Sequence, residues 1–150
     1  MADGAISIRL MKAGDLEAVV GIDEKVLKTA RPEYYAWKFE KLFDYKDALA
    51  TSLVAEDEDG TVAGFVIGEL YIGEYGILHE VATLDTIGVD PQYQHRGIGQ
   101  LLISEYVDHL RTLGVQRVRT LVGWNDPTLV RFFSENKFSP STIIHLERAL

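Results

Sequence analysis

The stretch Val89-Asp90-Pro91-Gln92-Tyr93-Gln94-His95-Arg96-Gly97-Ile98-Gly99 decides how this chain folds. Upstream, Leu84, Ile87 and Val89 form a short apolar run with Thr83 and Thr86 interspersed, and Asp90-Pro91 stops it, the pattern of a buried strand. Downstream, apolar residues fall at Ile98, Leu101, Leu102, Tyr106, Val107, Leu110 and Leu113, the three- and four-residue steps of one buried helical face. Glu105, Asp108 and Arg111 lie on the other side, and Gly114 follows as a helix C-cap. Between strand and helix, Gly97 and Gly99 let a ligand approach the main chain closely. The helix behind them directs unpaired N–H groups and its positive dipole end at that place. A Gly-x-Gly alone serves close packing equally well. With a strand before it and a helix after it, the pattern is that of an anion cradle for a phosphate or pyrophosphate.

Two familiar phosphate loops do not fit. A Walker loop ends in Gly-Lys-Ser/Thr, which is absent, and the dinucleotide fingerprint needs a third glycine where this chain has Leu102. What Gln94-His95-Arg96-Gly97-Ile98-Gly99 resembles is the Gln/Arg-x-x-Gly-x-Gly/Ala signature of the GNAT superfamily of N-acetyltransferases. Leu84 through Pro91 is similar to that family's central strand and its Val-Asp-Pro exit. Asn125-Asp126-Pro127 through Phe132-Phe133 to Phe138 is similar to its downstream Asn-x-x-Ala-x-x-x-Tyr-x-x-x-Gly-Phe region.

The resemblance implies that Gln94, His95, Arg96, Gly97, Ile98, Gly99 and Gln100 hold the pyrophosphate of acetyl-coenzyme A. It implies that Ile87, Gly88 and Val89 run along the pantetheine arm and that the Val89 N–H polarises the thioester carbonyl. It also implies that Asn125 touches the pantetheine from the next strand, and that Tyr34 and Tyr35 fall where the family builds its acceptor pocket. Helical spacing equally predicts core packing for about half of Tyr34, Tyr35, Trp37 and Phe39. A Tyr or Trp there can hold a cationic amine over its ring.

The bulk properties bound the remaining possibilities. The chain has 150 residues, the size of one ordinary domain, with 47% apolar and 25% charged residues. It has no cysteine, which excludes disulfides and an acyl-cysteine route. Asp3, Asp15 and Glu17 interrupt any signal-like apolar stretch, and no segment has the eighteen or so apolar residues of a membrane span. A soluble cytoplasmic protein without a membrane partner is the expectation. The net charge of −8 argues against nucleic-acid binding. An anionic cofactor then needs local positive charge, which His95 and Arg96 supply beside the helix dipole.

Read in order, Ile6 to Leu10 alternates as a strand, a helix opens at Asp15 and a second at Pro32. Ser52 to Glu56 and Thr61 to Ile72 form a hairpin about Asp57-Glu58-Asp59-Gly60, and a glycine-bearing loop at Gly73 and Gly76 leads to the central strand. After the long helix, Val118 to Trp124 reads as a strand, Pro127 begins a short helix, and Thr142 to Leu146 closes as a final strand. The expected fold is α/β (α+β): a single domain over 1–150, with a GNAT-like mixed central sheet and helices on both faces.

Attack of an amine on an acyl thioester needs a cofactor cradle, an N–H at the developing oxyanion and a base. Asp85 on the central strand and Glu80 just before it are the candidate bases, with His79 beside them. Each carboxylate has an ordinary alternative, a hydrogen bond inside the sheet for Asp85 and a solvated loop position for Glu80. Phe133 occupies the position where the family often has a tyrosine acid, and Lys137 the position of its glycine. The leading reading is an acetyl-CoA-dependent N-acetyltransferase acting on a small-molecule or peptide amine. The alternatives are a non-catalytic acyl-CoA-binding regulatory module of the same fold and a nucleotide-phosphate-binding protein. No metal is expected, because His79, His95, His109 and His145 lack ligand spacing. A homodimer is an arrangement common in similar folds.

Overall fold

A computed structural model describes residues 4–44, 51–72 and 80–150. The loop at Gly73 and Gly76 lies outside the described residues, as does His79. The chain forms two compact units, which divide after Thr120.

The first unit is built on a five-stranded sheet in the order β1-β2-β3-β4-β5. Its strands are β1 (Ser7–Leu10), β2 (Leu53–Glu56), β3 (Val62–Ile72), β4 (Glu80–Val89) and β5 (Arg117–Arg119). The first four pair antiparallel and β4 pairs parallel with β5. A parallel neighbour needs a crossover, supplied here by α3 (Ile98–Thr112). Helices α1 (Leu16–Leu27) and α2 (Pro32–Asp44) join β1 to the hairpin.

The sheet is mixed and covered on both faces, as the sequence pattern predicts. On one face Val19 and Ile22 of α1 and Tyr35 and Phe39 of α2 pack with Val54, Phe65 and Ile67. On the other, α3 buries Ile98, Leu102, Ile103, Tyr106 and Leu110. Each such side chain contributes ~1.5–3 kcal/mol by leaving water. Gly68 makes this contact possible, because a Cβ there would overlap the Tyr106 ring and hydroxyl. Gly114 ends α3 in the left-handed region (φ 79°), with Gly114 N–H donating to Arg111 O and Val115 N–H to Leu110 O. That pair of bonds is the Schellman closure. The hairpin turns where Asp57 Oδ1 accepts from the N–H groups of Asp59 and Thr61, both at 2.9 Å.

The second unit, Leu121–Leu150, contains α4 (Pro127–Glu135). Asp126 caps it by accepting from Leu129 N–H at 3.1 Å, and Phe133 packs edge-on against Phe132 and Phe138. Two predicted strands are not formed as expected. The strand predicted over Val118 to Trp124 is only Arg117–Arg119, and further on Asp126 N–H closes a turn onto Gly123 O at 2.9 Å, which takes Trp124 out of any strand. No strand forms over 142–146. There Ser141 Oγ bonds both the N–H and the carbonyl of Ile143, a local alternative to a ladder.

Candidate active site

The site begins at an open strand edge. Asp90 N–H donates to Ala63 O at 2.8 Å, and below it Gly64 pairs with Val89, Phe65 with Gly88 and Val66 with Ile87. In an antiparallel ladder alternate residues turn their N–H and C=O toward the partner. With Asp90 turned to β3, Gly88 and Thr86 follow, and the N–H groups of Val89 and Ile87 face the other edge. Pairing with β5 spans only Val81 to Thr83, so among the described residues no strand covers that edge at Ile87 and Val89. Gln94 Nε2 donates to Val89 O at 3.2 Å and links this edge to the loop beyond it.

The loop continues from the strand exit as a 3-10 turn over Pro91–Tyr93, capped by Asp90, whose Oδ1 accepts from Gln92 N–H at 3.0 Å. Lys25 Nζ lies 2.8 Å from Asp90 Oδ2. Burial works to raise the Asp90 pKa, but the hydrogen bonds from Lys25 and Gln92 outweigh it and hold the group below the ordinary range. His95 (φ 65°) and Gly97 (φ 76°) both adopt the left-handed region, and a Cβ at Gly97 would meet open space. Gly97 is the α3 N-cap without a side-chain cap, so the N–H groups of Ile98, Gly99 and Gln100 have no carbonyl within the helix to bond. A 15-residue helix places about half a positive charge at that end. The exposed His95 and Arg96 flank it. Tyr93 anchors the loop to the hairpin by donating to Asp57 Oδ2 at 2.7 Å, and the Arg96 guanidinium lies 5.5 Å from the Tyr93 ring centre. A cradle with left-handed glycine geometry, open amides and the Arg96 guanidinium beside it fits a pyrophosphate.

The third feature is a bulge. Ile67 pairs with Thr86 and Gly68 with Leu84, leaving Asp85 as the extra residue of β4. Such an insertion re-aims a side chain. Asp85 consequently shares the α2 face with Thr86, and Oδ2 accepts from Tyr34 Oη at 2.7 Å and from Thr86 Oγ1 at 3.0 Å. Lys38 Nζ lies 3.4 Å from Asp85 Oδ1 and donates to Glu69 Oε1 at 2.9 Å. Burial first, then the hydrogen bond and charge of Asp85, raise the Tyr34 hydroxyl above the ordinary phenol range. Burial acts to lower the Lys38 pKa, but the bond to Glu69 and the charges of Asp85 and Glu69 raise it on balance. Glu80, the other expected carboxylate, starts β4 opposite Ile72.

Tyr35, expected at the acceptor pocket, is instead a core residue at 0% exposure, with its hydroxyl donating to Asp23 Oδ1 at 2.7 Å. The helix turns adjacent residues by about 100°, and that turn carries the Tyr35 ring into the core, edge-on to Phe65 with centres 6.3 Å apart. Arg31 and Lys38 lie 4.9 and 5.7 Å from the Tyr34 ring centre. Sequence reasoning missed Lys38 and Glu69. The available signal was a lysine four residues after Tyr34 on an otherwise aromatic helix face.

Asn125 lies in the second unit, in the turn before α4. Among the described residues, no group of three or more metal-ligating side chains gathers, and no helix is long and apolar enough to cross a membrane.

An open β4 edge leads to an uncapped helix N-terminus, a track that can take an extended ligand ending in an anionic group. Residues 18–138 match the model of the Acetyltransferase (GNAT) family, and the chain belongs to that family. It is 27% identical over 139 residues to the [Ribosomal protein bS18]-alanine N-acetyltransferase of Salmonella typhimurium, covering 91% of this chain and 83% of the relative. It is 32% identical over 87 residues to the mycothiol acetyltransferase of Propionibacterium freudenreichii, 58% of this chain but only 27% of that longer protein. Its fold is that of the aminoglycoside N-acetyltransferase AAC(6')-Iy in complex with CoA, with a TM-score of 0.78, 17% identity and coverage of 97% and 95% of the two chains.

Proposed function

We propose that this acetyltransferase moves an acetyl group from acetyl-CoA to a primary amine by direct attack, with a peptide N-terminal amine as the first acceptor to try. The observation that carries the reading is the β4 edge. The free N–H groups of Ile87 and Val89 run toward the α3 N-terminus, a continuous track for a pantetheine arm ending in a pyrophosphate. The choice of acceptor rests on the ribosomal-protein alanine specificity in the relative's name. We read the two compact units as parts of one domain over 1–150, since the family match spans both.

Within this reading, Gln94 to Gln100 and the α3 N–H groups bind the pyrophosphate, and Ile87, Gly88 and Val89 align the arm. Val89 N–H stabilises negative charge on the thioester oxygen as the amine adds. Asp85 is the terminal proton acceptor. Phe133 donates no proton, so the thiolate leaves unaided, which a thiol of pKa about 8.5 permits.

Calorimetry with acetyl-CoA, ATP and NAD, followed by free-thiol release with an alanine-led hexapeptide and a panel of small amines, tests this. Binding of acetyl-CoA alone, with amine-dependent thiol release, is the expected result. Binding without release across the panel favours the non-catalytic acyl-CoA module that Phe133 allows.

A further inference from the structure

We propose that Tyr34 is a catalytic residue, its hydroxyl taking the proton from the acceptor amine while passing its own proton to Asp85. The inference rests on the acetyltransferase reading and names the group that touches the amine.

Asp85 is crowded by its own protein. Its Oδ2 receives Tyr34 and Thr86 and its Oδ1 faces Lys38. Three of the roughly four acceptor sites of the carboxylate thus already face a donor of the protein, which leaves an incoming amine little of Asp85 to bind. Tyr34 differs. A hydroxyl donates one proton and keeps lone pairs to accept another. The Tyr34–Asp85 hydrogen bond is solvent-exposed, whereas the adjacent Tyr35–Asp23 bond of equal length, 2.7 Å, is buried. The Tyr34 ring is not the free surface, since Arg31 and Lys38 lie over it and Tyr35 meets it edge-on with centres 5.0 Å apart. The hydroxyl is the part of Tyr34 left for a substrate.

The step balances. The amine nitrogen forms the bond to the acyl carbon and the carbon–sulfur bond breaks, its electron pair leaving with the thiolate. The nitrogen proton goes to Tyr34 Oη as the phenol proton goes to Asp85 Oδ2. Solvent then returns Asp85 to its anion and the thiolate to thiol. Lys38, tied to Glu69 and beside Lys41, holds Asp85 in place from α2. Lys41 Nζ also lies 3.4 Å from Glu69 Oε1.

The test compares Tyr34→Phe, Asp85→Asn and the double variant, using acetyl-CoA and the alanine-led hexapeptide. Each single variant should lower kcat by about 100-fold, within the range of one lost proton transfer. The KM for acetyl-CoA should stay within about twofold, and the double variant should be no more than about threefold worse than the poorer single, because both act on one proton path. The solvent proton inventory should be bowed in the wild type and linear in Tyr34→Phe. Independently of turnover, 13C-tyrosine NMR of the resting protein, assigned with Tyr34→Phe, should show Tyr34 ionising at lower pH in Asp85→Asn. Full kcat in Tyr34→Phe, multiplicative losses in the double variant, or an unmoved Tyr34 signal would each overturn the relay alone. A wild-type chain that neither binds acetyl-CoA nor releases thiol overturns the acetyltransferase reading and the relay with it.

Discussion

Lys38 and Glu69 form a nearly buried ion pair, Nζ to Oε1 at 2.9 Å, with side chains 6% and 10% exposed. The pair bolts α2 to β3, and through Lys38 it also reaches Asp85 at 3.4 Å. Removing the lysine strands two carboxylates, whereas removing the glutamate leaves Lys38 with Asp85. Breaking a buried pair costs about 3–5 kcal/mol when one charge is orphaned. Lys41, 3.4 Å from Glu69, cushions part of that. Lys38→Met should therefore lose about 2–4 kcal/mol in urea unfolding, clearly more than Glu69→Gln. The double Lys38→Met/Glu69→Leu variant should recover part of the loss. Equal effects of the two single variants would mean that the ion pair, not the shared lysine, governs the cluster.

Tyr35 predicts a different division of effects. Its ring is fully buried and its hydroxyl serves Asp23, which Arg31 also holds at 2.8 Å. Tyr35→Phe removes two hydrogen bonds, one donated to Asp23 and one accepted from Arg31, and should cost about 1–3 kcal/mol, and Tyr35→Ala about 3–5 kcal/mol from the cavity. In the folded fraction of either variant the acceptor KM should stay at the wild-type value. A specific rise in acceptor KM for Tyr35→Phe would return this residue to the pocket.

Gly97 separates ligand binding from stability. Its φ of 76° costs a side-chain-bearing residue about 1 kcal/mol. A Cβ there projects into open space beside the uncapped α3 amides. Gly97→Ala should thus lose about 1 kcal/mol in unfolding while weakening acetyl-CoA about tenfold or more in calorimetry, a loss of about 1.4 kcal/mol. An unchanged affinity would place the pyrophosphate elsewhere.

Asp90 gives the pH dependence a sign. Its folded pKa lies below the ordinary carboxyl value. Its contribution to stability is therefore present above the unfolded pKa, near 4, and is lost as pH falls through the lower folded value. Asp15 follows the same rule: burial raises its pKa, but hydrogen bonds from Arg9 and Lys12 lower it on balance. Asp90→Asn should flatten the acid side of the stability curve below about pH 4 relative to wild type, measured by urea unfolding at each pH. A parallel acid limb in the variant would contradict the Lys25–Asp90 pairing.

Much of this was legible in the sequence because it is local. The helix from Ile98, its Gly97 entrance and its Gly114 exit follow from 3.6-residue periodicity and from residues suited to the left-handed region. The Asp57 turn and the Pro32 helix start are likewise written within a few residues. Where local patterns failed, local bonds won, as in the Gly123–Asp126 turn and the Ser141–Ile143 contacts that replace strand.

Asp85 and Tyr34 were each identifiable as residue types suited to the site, but their meeting was not, since they stand 51 positions apart. Lys38 and Glu69, 31 apart, gave no signal beyond a lysine on an aromatic face. The sequence alone determined the loop proposed to cradle the pyrophosphate, because a strand, a left-handed glycine and a helix N-terminus build it from consecutive residues. Tertiary structure decided which way Asp85 points and which tyrosine meets it. A bulge is a property of two strands in register, and a charge cluster exists only once helix and sheet have packed.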